Sequence, residues 1–137
     1  MTEIVDGHNL LARIALRMGR IAVATEEARQ AMDVASASDN LLTLAEVLAV
    51  VGQLAWAFDD ATRSTMLHAG AEALRSKIGF VHPVPRAREL ARELDELRLD
   101  LGQAAFDRAW EHGAALDLDE LANCASSVLH RKPSLSH

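Results

Sequence analysis

Apolar residues recur along this chain at helical rather than strand spacing, in runs separated by short polar breaks. The breaks fall on residues that stop helices. A first helix is predicted from Asp6 to Met18, ending at Gly19-Arg20, and a second from Ala22 to Ala37, followed by the polar turn Ser38-Asp39-Asn40. A third runs from Leu41 to Phe58 and turns at Asp59-Asp60, and a fourth covers Ala61 to Ile78 before Gly79 ends it as a glycine C-cap. In "FVHPVP", Pro83 and Pro85 disfavour helix in the residue before each. This predicts an extended link, with Pro85 placed to open a fifth helix.

That fifth helix, "PRARELARELDELRLDL", puts Ala87, Leu90, Leu94, Leu97 and Leu101 at alternating spacings of three and four, a narrow seam for packing on another helix. Around the seam Arg86, Arg88, Arg92 and Arg98 alternate with Glu89, Glu93, Asp95, Glu96 and Asp100, the pattern of a solvated face. Beyond it, "LGQAAFDRAWEHGAALDLDELA" predicts two more helices. Phe106 and Trp110, one turn apart, share a face and are expected to seal a core beneath the leucine seam. Asp117 with Glu120 three residues on has the form of a capping box, and Leu116 with Leu121 the form of a hydrophobic staple across it.

An internal repeat emerges when Gly19 is set on Asp59, an offset of 40 residues. Leu11 then falls on Val51, Ala12 on Gly52, Ala15 on Ala55, Ala24 on Ser64 and Ala31 on Ala71. Small residues coincide where the two helices of a hairpin approach closely. Composition supports the same reading: half of the residues are hydrophobic but only 4% are aromatic, with no tyrosine and a dominance of alanine and leucine. With 137 residues the chain has room for one domain.

The hairpin pattern resembles tetratricopeptide-like repeats, with Gly19-Arg20 and Asp59-Asp60 as the turns. Four later pieces, in order, add to it: "AGAEALRSKIG", the proline link, the Arg/Glu/Leu helix, and "LGQAAFDRAWEHGAALDLDELA". Together they resemble the C-terminal helical-repeat region of bacterial, notably actinobacterial, LuxR-type and AfsR-type transcriptional regulators and related ATPase and nucleotide-cyclase signalling proteins. The likeness covers about half of the chain. Two positions depart from it: Asp59 stands where the family usually has glycine, and His68 where it is usually aliphatic.

What the resemblance implies is an all-α domain over residues 1–130, with two tetratricopeptide-like hairpins (1–78), the proline link (79–85), capping helices (86–130) and a flexible tail (131–137). It also implies a non-catalytic protein-interaction or regulatory module, or alternatively a small-molecule sensor that binds its ligand in the concave groove. The first helix of each hairpin would line that groove. The resemblance places Asp6, Asn9, Arg13 and Arg17 there from one hairpin and Glu46, Gln53 and Trp56 from the other. Asn, Arg, Gln and a tryptophan together suit a peptide or a small polar ligand.

The chemistry of the remaining residues narrows the choice. Fourteen Lys and Arg against twenty Asp and Glu give a net charge of −6, which disfavours direct contact with nucleic acid or anionic lipid. No phosphate loop of the G-x-x-x-x-G-K-[ST] type occurs, no stretch has the roughly 18 uninterrupted apolar residues of a spanning helix, and no basic start precedes an apolar run. The single cysteine, Cys124, fits a reducing cytoplasm and reads as a half-buried helical residue rather than a nucleophile. None of His8, His68, His82, His112, His130 and His137 stands at ligand spacing from another or from Cys124, so neither metal nor cofactor is expected. The acids of Asp59-Asp60 and Asp117-x-Asp119-Glu120 sit at turns and helix starts, where they cap exposed amides. The expected partner is a protein, a peptide or the rest of a larger regulator. The domain is expected to be monomeric, with a homodimer through the exposed face of the first hairpin as the alternative.

Overall fold

The computed structural model describes residues 2–38 and 40–130, with side chains from residue 7 onward; the expected tail 131–137 lies outside the described residues. Seven helices follow one another among the described residues: α1 (Thr2–Arg17), α2 (Ile21–Ser36), α3 (Leu41–Ala57), α4 (Ala61–Lys77), α5 (Val84–Leu101), α6 (Gln103–Ala115) and α7 (Leu118–Leu129). The fold is all-α and helical-repeat-like: α1 pairs with α2, α3 with α4, and the two pairs stack. Most helix ends fall within one or two residues of the positions the stop signals predict, while α1 begins earlier, at Thr2.

The turns show why. After α1, Gly19 adopts a left-handed φ of 73°, its N–H donates to Leu16 O, and the next N–H, of Arg20, reaches back to Ala15 O at 2.8 Å. The same two bonds close α3, from Asp59 N–H to Trp56 O and from Asp60 N–H to Ala55 O at 2.8 Å, with Asp59 at φ 62°. Both turns are Schellman closures. Every residue of the second lies 40 positions beyond its counterpart in the first, so the sequence offset is present as hydrogen-bond geometry. Asp59 thus occupies the glycine position of the turn, and aspartate is among the few side chains that tolerate that backbone region. Asp60 then caps α4 by accepting from Arg63 N–H.

The second departure, His68, is accommodated by volume compensation. His68 is buried on α4, and a Cβ added at Gly52 of α3 would lie 3.2 Å from its Nε2 and 3.3 Å from Ser64 O. Forty residues earlier the corresponding positions are Ala12 and Ala28, both fully buried in the main core. One crossing joins two alanines, the other a glycine and a histidine. Alanine otherwise dominates this core, with leucine next, and Leu48, Leu54 and Leu67 are the largest fully buried aliphatic side chains of the hairpins.

The C-terminal helices divide between two cores. Phe106 and Trp110 stack with ring centroids 5.9 Å apart and join Leu94, Leu97 and Leu101 of α5, Trp56 of α3 and Ala61 of α4 in a small second core. Arg98 lies over the Phe106 ring at 4.4 Å. Of the leucine seam, Leu90 and Leu97 are buried, Leu94 and Leu101 half-buried, and Ala87 is exposed. By contrast α7 returns to the hairpins: Leu121, Ala125, Val128 and Leu129 enter the main core against α2, α3 and α4. The capping box forms as expected, with Asp117 accepting from Glu120 N–H at 2.8 Å and Glu120 from Asp117 N–H at 2.9 Å. Leu116 packs on the same core as Leu121.

The tightest approach joins α6 to α4. A Cβ on Gly113 would lie 2.2 Å from Met66 O and 2.5 Å from Met66 Cα, inside the backbone of the neighbouring helix. A glycine inside a helix costs about 1 kcal/mol relative to alanine, and here it is required because no alanine fits. Gly113→Ala should therefore destabilise the protein by about 2 kcal/mol or more despite its better helix propensity, read as a lower urea midpoint. An unchanged or higher midpoint would mean that α6 does not pack this closely.

Candidate binding site

Residues of the first helix of each hairpin do converge, but on two clefts rather than one groove. Asn9, Arg13 and Glu46 line a cleft of about 420 Å³, together with Leu10 and, from the end of α4 through the start of α5, Arg75, Phe80, His82, Pro83 and Arg86. Gln53 and Trp56 line another, of about 330 Å³, with Leu16, Ala57 and Glu93. Arg17 belongs to neither: its side chain is 80% exposed and 3.7 Å from Glu89, a geometry worth little in water. Asp6 lies outside the residues whose side chains are described.

The helix α5 makes the division. Its Glu93 accepts from Gln53 Nε2 at 3.0 Å, and its Asp100 accepts from Trp56 Nε1 at 3.2 Å. Arg86, one helix face from Glu93, lies 3.8 Å from that carboxylate and 3.1 Å from Glu89. Thus Arg86 walls the first cleft, Glu93 the second, and the pair stands between them. The groove expected along both hairpins is divided, and in its Gln53-Trp56 half the chain's own acids take the polar groups that a ligand would meet. Charge alternation on α5 suggests a solvated face, but several of these groups face protein instead.

Electrostatics in the first cleft follow from crowding. Burial lowers the Arg13 pKa from its usual value, and the neighbouring Arg86 lowers it further, against the pull of Glu46, Glu93 and Glu89. Burial pushes Glu93 up, opposed by Arg86, the Gln53 hydrogen bond and Arg13. Burial also works on Glu72 of α4, but hydrogen bonds from His82 and Arg75 outweigh it and hold the carboxyl below the usual range. His82 Nε2 lies 3.0 Å from Glu72 Oε2, and its ring meets Phe80 edge-on at 5.3 Å. Arg75, itself buried, donates to Glu72 and lies 6.0 Å over the Phe80 ring. Glu72, Arg75, Phe80 and His82 therefore hold one another and fix the link.

Arg75, His82 and Arg86 are the cleft residues that sequence reading missed. Arg75 reads as an ordinary base near a helix C-terminus, and the link as a spacer.

Among the described residues no group of three or more His, Cys, Asp or Glu stands close enough to hold a metal ion. Cys124 is half-buried, and burial raises its pKa against the opposing pull of Arg63, so the thiol stays protonated at neutral pH. No helix among the described residues is long and apolar enough to cross a membrane. Compared with models of known protein families, with curated proteins and with solved structures, the chain matches none.

His68 supplies a pH dependence. Burial first, then Arg86 and Arg75, lower its pKa to about 4, with Glu72 pulling the other way. Glu93 Oε2 lies 3.8 Å from its Nε2, too far for a hydrogen bond, and because the lowered pKa leaves the imidazole uncharged at neutral pH the two are not an ion pair there. Because the folded pKa is below the usual 6.5, the unfolded chain takes up the proton first, and stability is lost as pH falls from about 6.5 towards 4. Urea unfolding of the wild type and a His68→Gln variant should show the difference between them shrink by about 2–3 kcal/mol between pH 7 and pH 4.5. A constant difference would mean that His68 is solvated.

Proposed function

We propose that this chain is a non-catalytic interaction module of a bacterial transcriptional or signalling regulator, working through the open edge of its first hairpin. The observation that carries this reading is an apolar stripe. Leu10, Leu11 and Ile14 of α1 and Met18 just after it are 45–59% exposed, with Val23 of α2 at 50%. Their counterparts 40 residues on, Val50, Val51 and Leu54, are fully buried and Phe58 half-buried, because the first hairpin lies against them. The stripe is therefore the surface that a further helical hairpin would cover. Soluble domains seldom leave such a contiguous row bare without a partner.

The occupant is a second copy of the same chain. The sequence of this hairpin edge is acidic towards the start of α1, with Glu3 and Asp6, and basic at and just past its end, with Arg17 and Arg20. An antiparallel two-fold pairing of α1 with itself sets the acidic end of each copy beside the basic end of the other while covering both stripes. The likeness to helical-repeat regions of LuxR-type and AfsR-type regulators supports the same role, since such segments there serve sensing and assembly.

Light scattering on eluting protein should give the mass of two copies at high micromolar concentration, falling towards one on dilution. Leu11→Asp combined with Ile14→Asp should remain a single copy at every concentration with its helical signal unchanged. A wild type that is a single copy into the millimolar range overturns self-association.

A further inference from the structure

The first cleft carries more unsatisfied chemistry than a structural role explains. Three guanidiniums reach it from three elements: Arg13 of α1, Arg75 near the end of α4 and Arg86 at the start of α5. One carboxylate, Glu46, lines it with them. Further carboxylates stand behind the guanidiniums, Glu72 against Arg75 and Glu89 and Glu93 against Arg86, so the positive groups gather at the lining while these counter-charges lie outside it. Asn9 is 5% exposed and Arg75 4%. Both amide atoms of Asn9, Arg13 Nε and Arg75 Nε are buried without a hydrogen-bond partner. Native proteins keep few such atoms, and four around one cleft of about 420 Å³ are a costly concentration.

The rest of the lining has a different character. Leu10, Phe80 and Pro83 offer apolar surface, and Arg75 is already fixed by Glu72 and by the Phe80 ring. A convergent polar set beside an apolar wall, in a volume of this size, is the usual make-up of a small-molecule site.

From this geometry we infer that the cleft binds a small organic anion, whose carboxylate or phosphate lies between Arg13 and Arg86, whose polar substituent meets Asn9, and whose apolar body rests on Leu10, Phe80 and Pro83. Guanidinium forks suit both oxyanions. The crowding of Arg13 against Arg86 fits the same assignment, since an anion between them removes their mutual repulsion. Because the cleft is built within one chain, the site does not depend on pairing of the α1 stripes; Leu10 alone borders both surfaces.

The test uses the full chain and three probes: benzoate, phenyl phosphate and inorganic phosphate, titrated calorimetrically at constant ionic strength, with benzyl alcohol as the neutral control. Benzoate or phenyl phosphate should bind with a submillimolar Kd, and whichever is tighter identifies the oxyanion; inorganic phosphate and benzyl alcohol should bind at least tenfold more weakly, on the order of the loss of one charge-assisted contact. Arg13→Gln should weaken the preferred probe about tenfold or more, while Arg63→Gln, at the far end of α4, leaves it unchanged. Asn9→Leu provides a readout that a structural asparagine would not give: binding is lost while the thermal midpoint holds or rises, because a buried unpartnered amide is removed.

Binding must persist in the Leu11→Asp, Ile14→Asp chain, which separates this site from self-association. Absence of binding by both organic anions, binding no tighter than that of inorganic phosphate, binding unaltered by Arg13→Gln, binding confined to the paired wild type, or a lower midpoint for Asn9→Leu each overturns the assignment.

Discussion

The architecture depends on how closely helix backbones approach where a glycine or alanine stands in place of a larger side chain. At Gly113 the gap to Met66 admits no Cβ, at Gly70 an added Cβ would lie 2.3 Å from a Leu121 methyl, and at Gly52 the space is taken by His68. Alanine buries little area, so each such residue contributes less hydrophobic free energy than a leucine would. What it permits is backbone proximity, and with it many dispersion contacts that depend steeply on distance. An interface of this kind has little tolerance for an added methyl group.

The same closeness sets the site. With α6 seated on α4 and only Gly102, at φ 87°, between α5 and α6, the C-terminal end of α5 has little freedom. Its other end is held by the Glu72-Arg75-Phe80-His82 cluster beside Pro83. Constrained at both ends, α5 packs on α4 and α6, and its Glu93 and Asp100 reach Gln53 and Trp56 of α3. In that half of the expected groove the polar groups are taken by the chain's own acids. The other half, around Asn9 and Arg13, is bordered by Phe80 and Pro83 of the link.

Much of the fold was legible because it is written in local signals. The Schellman turns at Gly19 and Asp59, the Asp117-Glu120 capping box and the prolines before α5 each act within a few residues, and each helix ends close to where they put it. Asn9, Arg13, Glu46, Gln53 and Trp56 also lie at clefts, because a repeat offset fixes which helix face a residue occupies. Arg17 does not, since it stands on the solvent side of the last turn of α1, whose Ala15 and Leu16 face the core.

By itself, then, the sequence determined the helices, their ends and the repeated hairpin, all of them consequences of periodicity and backbone preference over short distances. Only the tertiary structure decided that α7 returns to the main core, that α5 divides the groove, and that Arg75, His82 and Arg86 join Arg13 at one cleft. Those outcomes turn on contacts between residues far apart in the chain, where a single glycine such as Gly113 fixes the approach of two helices. A charged face like that of α5 carries no mark of which of its carboxylates meets a partner. The physical reason is that amphipathic pattern specifies which side of a helix is buried, whereas the packing of small residues specifies against what.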